Sequence, residues 1–108
     1  MLVSTTERVA GYEVAETLGE VFGITVRSRS VFGNLGASLK SLVGGEITQY
    51  TKLLTEAREH AVQRLKDNAQ AMGADAVIMM RFDSSEIGQT MSEIVAYGTA
   101  VRLRQGGM

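Results

Sequence analysis

Glu56 and His60 are the residues whose types and spacing most suggest chemistry. Four positions apart on a helix they share a face, where a carboxylate and an imidazole can ligate one divalent ion. His60 is the only histidine and there is no cysteine, so one chain offers two ligands where a built zinc site has three or four. Lys52, Glu56 and His60 equally describe a solvated helix face with charges paired at i,i+4. A symmetric ring would be the route to a stronger metal site. A second constellation is basic. Arg27 and Arg29 precede one predicted helix; Lys40, Gly44 and Gly45 precede another, where backbone N–H groups and guanidinium can hold a small anion. The phosphate-loop pattern G-x-x-x-x-G-K-[ST] is missing, and a solvated helix–helix corner explains the same residues.

No catalytic residues emerge. Glu13, Glu16 and Glu20 are near neighbours, but Glu13 and Glu16 have opposite parity and would face opposite sides of a regular strand. The lone histidine has no Ser/Asp pattern around it, which leaves serine catalysis without a base. The chain is expected to be a binding or structural module, with no enzyme activity and no cofactor assigned.

Composition narrows the classes further. Eleven basic residues face 12 acidic ones, and this near-balance gives no bulk attraction to nucleic acid or to a membrane surface. The pairs Arg27/Arg29 and Arg102/Arg104 lack the interleaved aromatics of an RNA-binding strand. Without cysteine, disulfides and iron–sulfur clusters within one chain are excluded. No apolar run approaches the roughly 20 residues needed to span a bilayer, and the cytoplasm is the expected compartment.

These side chains depend on a few elements. Leu2–Thr5 suits a short strand. Alternation from Tyr12 to Arg29 predicts two strands with a turn, bulge or bend near Leu18, Gly19 and Glu20. Asn34 to Leu42 reads as a short helix, ended by Gly44 and Gly45. From Ile47 to Met72 an apolar stripe (Leu54, Ala57, Ala61, Leu65 and Ala69 among it) predicts a long helix capped by Gly73. Ala76 to Asp83 is a strand apolar on both faces, Ser84 to Gly88 a turn, and Met91 to Arg104 a last strand bent or closely approached at Gly98. The methionines fall in strands and on the helix stripe, as core or interface packing requires. The expected fold is α+β: a largely antiparallel sheet of about five strands packed against one long and one short helix. Residues 1–104 form one domain and 105–108 a frayed tail. One helix covers one face of a sheet, so self-association is expected to cover the rest.

Three blocks carry a resemblance over nearly the whole chain. They are Gly19 to Arg29; Val43 to Glu46 followed by Tyr50, Leu54, Ala57, Arg58, Ala61 and Leu65; and Gly73 to Val77 with Met91 and Gly98 to Val101 beyond. In combination they resemble the YbjQ-like family of small bacterial proteins, which carries a heavy-metal-binding label. The resemblance implies a compact α+β subunit that assembles as a ring-like homo-oligomer, a pentamer. It implies no established activity.

Overall fold

The computed structural model describes residues 1–28, 48–88 and 91–106. Its elements run β1 (Leu2–Val3), β2 (Tyr12–Ser28), α1 (Thr48–Ala71), β3 (Ala76–Ile87) and β4 (Met91–Gln105). The strands form one mixed sheet in the order β1-β3-β4-β2, with β1 parallel to β3 and the other pairs antiparallel. The fold is thus α+β as expected, but with four strands among the described residues. The expected short helix from Asn34 to Leu42 lies outside them, as do Gly44 and Gly45.

Two expectations about strands need correction. Tyr12 to Ser28 is one continuous strand, because β4 offers it a partner along its whole length. Gly19, at φ 126°, accommodates a register shift between Thr17 and Gly19, and a second shift lies between Val14 and Glu16. Each shift places one extra residue in β2. The expected turn from Ser84 is also strand: β3 stays paired with β4 as far as Ile87 opposite Met91. The polar residues there are exposed, so pairing rather than burial sets the conformation. At the other end of β4, Gln105 belongs to the strand and the N–H of Gly106 donates to the carbonyl of Gly11 at 2.9 Å.

The helix lies on β2. Ala57, Ala61, Leu65 and Ala69 are fully buried, at the spacing of one stripe. Small side chains bring the helix backbone down onto Gly23, where an added Cβ would collide with the carbonyl of Ala61 and the N–H of Leu65 and stand 2.9 Å from the Leu65 Cα. Val21, Val77, Ala96 and Ala100 complete this core. At the helix end Gly73 adopts φ 83°, while Ala74 N–H donates to the Ala69 carbonyl and Gly73 N–H to that of Gln70, each at 3.0 Å. This is a Schellman cap, and it turns the chain into β3.

A smaller core lies at the lower end of the opposite face, where Ala76, Ile78 and Val101 pack with Val9 and Leu103. Here β3 carries one extra residue between Ile78 and Arg81, and Met79 has φ 56°. The bulge turns its N–H groups toward the N-terminal segment: Met80 donates to the Ser4 carbonyl at 2.9 Å and Met79 to that of Thr6 at 3.1 Å. Gly98 on β4 leaves room for this fold of the backbone, since a Cβ there would sit 2.7 Å from Val77 Cγ1 and 2.8 Å from the Ile78 carbonyl.

Candidate functional site

Cross-strand register defines a site at the upper end of the helix-bearing face. Arg27 on β2 stands opposite Ser92 on β4, which stands opposite Glu86 on β3. One row down, Thr25, Ile94 and Ser84 align in the same way; one further, Gly23, Ala96 and Phe82. The helix sits over the β2 end of these rows. Between its flank and β3 it leaves a groove of about 470 Å³, with Leu54 and Arg58 on the helix side and Phe82, Ser84 and Ile94 among the strand residues.

Arg27 is held at one wall. Its Nη2 lies 2.5 Å from His60 Nδ1. A guanidinium only donates, so Nδ1 is the acceptor and the ring proton sits on Nε2. His60 is therefore committed to Arg27, a cation reached from 33 positions away in the chain. A metal ion ligated by Glu56 and His60 would sit beside that guanidinium or use Nε2 alone. No cluster of three or more His, Asp or Glu suited to a metal ion occurs among the described residues. Of the residues expected to hold an anion, Arg27 lines the groove; Arg29, Lys40, Gly44 and Gly45 lie outside the described residues.

Three participants escape sequence reasoning. Arg58 lies over the ring of Phe82, 5.5 Å from its centroid. On the helix Arg58 reads as one more solvated charge, and only the packing of helix against sheet brings it to an aromatic face. Arg64 and Asn68 are the others: their side chains donate to the carbonyls of Ile24 (2.6 Å) and Phe22 (2.7 Å), clasping the outer edge of β2. A strand edge covered in this way is closed to further pairing at these residues.

The acidic residues of β2 are reassigned by its first bulge. Glu13 aligns with Arg104 and Glu16 with Arg102, so the extra residue at Ala15 brings the two carboxylates to one face, against the parity argument. Glu13 pairs with Arg104 at 2.9 Å and Glu16 with Arg102 at 3.8 Å, all four side chains being half exposed or more. These cross-strand ion pairs neutralise the Arg102/Arg104 cluster as a nucleic-acid surface.

The face away from the helix is different in kind. Phe22, Ile24 and Val26 are 48%, 45% and 46% exposed, and their neighbours across the strand pair are Tyr97, Val95 and Glu93. The Phe22 and Tyr97 rings are 6.4 Å apart. An antiparallel sheet facing water ordinarily carries polar residues at such positions.

A two-layer subunit with one helix among the described residues, a bare apolar sheet face and a polar groove defines a small α+β module. Residues 1–104 match the family model described as "Putative heavy-metal-binding", and the chain belongs to that family, YbjQ. It is 64% identical over 100 residues to a UPF0145 protein of Bradyrhizobium sp. (strain ORS 278), covering 93% of this chain and 90% of that one. A UPF0145 protein of Limosilactobacillus fermentum is 61% identical over 102 residues, covering 94% and 90%. UPF0145 is a designation for uncharacterised proteins. Among solved structures, a protein of unknown function of the DUF74 family from Pediococcus pentosaceus superposes with a TM-score of 0.63 at 18% identity, over 96% of this chain and 98% of that one. This likeness concerns the fold alone. No helix among the described residues is long and apolar enough to cross a membrane.

Proposed function

We propose that the chain is a non-enzymatic module that acts as a closed homo-oligomer, its copies meeting through the bare face of the β2–β4 pair. The observation that carries this reading is the unbroken row Phe22, Ile24 and Val26, apolar and close to half exposed, beside Val95 and Tyr97. Burying the exposed half of such side chains is worth about 0.7–1.5 kcal/mol each, and a second copy supplies a surface of matching chemistry. A ring is the expected closure, and five copies the number carried over from the family resemblance. The heavy-metal label finds less support, because the only histidine already accepts a hydrogen bond from Arg27.

Native mass spectrometry tests both readings together, since it reports subunit count and co-purified metal. A metal-free oligomer that dissociates in Ile24→Glu is expected. A monomer at 100 μM, or a stoichiometric metal lost in His60→Ala, overturns the proposal.

A further inference from the structure

The groove beside the helix holds a cation that is positioned but not neutralised. Cross-strand register puts Phe82, Ser84, Ser92 and Ile94 on the helix side of the sheet, next to Leu54 and Arg58. Asp83 and Glu93 border the same space, but the register turns their side chains to the bare face, in rows with Val95 and Val26. There Glu93 accepts from the Ser85 hydroxyl at 3.4 Å. Glu86 is the one lining carboxylate on the groove side, and it has a partner of its own. Arg58 joins no ion pair among the described residues. Its guanidinium lies over the Phe82 ring, 5.5 Å from the centroid. An aromatic face steadies a guanidinium without cancelling its charge, which leaves the N–H fork for an anion. Arg27, at the upper end, is likewise held by an uncharged partner, the His60 ring nitrogen, so that end of the groove stays positive.

We propose that this groove binds a small organic carboxylate, its charged end on the Arg58 fork and its apolar body on Leu54, Ile94 and the open part of the Phe82 ring. The volume, about 470 Å³, is that of a small-molecule site. Phe82 is 38% exposed even with Arg58 above it, so ring surface remains for a ligand to cover. The planar fork of an arginine matches a carboxylate through two parallel N–H bonds. Ser84 and Ser92 add hydroxyls on the same side of the sheet. A cation finds two guanidiniums and no carboxylate awaiting it. A neutral molecule gains only the apolar floor, and a bare anion only the fork. The site lies on the opposite side of the sheet from the face through which copies meet, so occupancy does not depend on that reading.

The discriminating probes are benzoate, benzamide and benzamidine, alike in shape and differing in charge, with acetate as the carboxylate that lacks a body. Backbone amide shifts are followed by NMR on the intact chain, with Gly73 and Gly106 as remote controls. The expected result is saturable shifts at Arg58, Ser84 and Ser92, with benzoate at least tenfold tighter than each of the other three. Arg58 is exposed, so Arg58→Gln should leave the control amides in place and reduce benzoate to the affinity of benzamide. Benzamide or benzamidine binding as tightly as benzoate would overturn the proposal, as would benzoate affinity unchanged in Arg58→Gln. Acetate as tight as benzoate would overturn the part given to the apolar floor. Absence of shifts with benzoate at 20 mM would overturn the site altogether.

Discussion

Replacing Gly23 by alanine tests the seating of the helix directly. The new methyl would be built inside contact with the Ala61 carbonyl and the Leu65 N–H, and 2.9 Å from the Leu65 Cα. Carbon atoms pack at about 3.5–4.0 Å, so the helix must retreat by roughly 1 Å. None of the colliding atoms is a flexible side-chain end that could swing aside. Overpacking of this kind costs about 1–3 kcal/mol. The retreat also stretches the Arg64 bond to Ile24 (2.6 Å) and the Asn68 bond to Phe22 (2.7 Å), each worth about 1 kcal/mol. Against this, alanine restricts the unfolded chain and returns about 0.4–1 kcal/mol. The net destabilisation is about 2–4 kcal/mol, a large part of the 5–15 kcal/mol typical of a domain. Urea unfolding by circular dichroism at fixed protein concentration measures it, with differential scanning calorimetry expected to show a fall of about 10–25 °C. A variant within 1 kcal/mol of the parent would refute the close approach of helix and strand.

Thr25 is 2% exposed and its hydroxyl has no hydrogen-bond partner, so Thr25→Val should stabilise the protein by about 1 kcal/mol in urea unfolding. A loss of stability would reveal a partner for that hydroxyl. Met79 has φ 56° and is 41% exposed; Met79→Gly removes a left-handed penalty of about 1–2 kcal/mol and should raise the urea midpoint. A lowered midpoint would show that its side-chain packing outweighs the backbone strain. The ion pair of Arg104 with Glu13 is half exposed on both sides, and a double-mutant cycle to alanine should give a coupling below about 1 kcal/mol. Isothermal titration with zinc should show no site tighter than micromolar, and a tight site lost in His60→Ala would contradict the assignment of His60 to Arg27.

The parts of this fold that follow a local rule were legible in the sequence. The helix from Thr48 to Ala71 announces itself by one stripe of alanine and leucine, and Gly73 by its place after that stripe. What depends on a distant partner was not. Gly19 looks like a turn until β4 is laid beside it, and the extra residue at Ala15, which sends Glu13 and Glu16 to one side, has no signature of its own. Ser84 to Glu86 have turn composition and become strand only because Glu93 and its neighbours pair with them. The same holds for the groove. Arg27 and His60 each stood out as reactive, yet in separate hypotheses, because the contact that joins them is a product of packing. Arg58 drew notice only as one residue of a family block until its position over Phe82 was seen.

The pairing of β2 with β4 has a consequence for the order of synthesis. Strand β2 is complete at Ser28, but its partner begins at Met91, so at 5–20 residues per second the ribosome leaves β2 without its neighbour for about 3–13 seconds. The helix emerges in that interval. Gly23, Arg64 and Asn68 give it contacts to β2 that need no other strand. A helix–strand unit can thus form early, shielding one edge of β2 while the nascent chain still lacks the rest of its sheet.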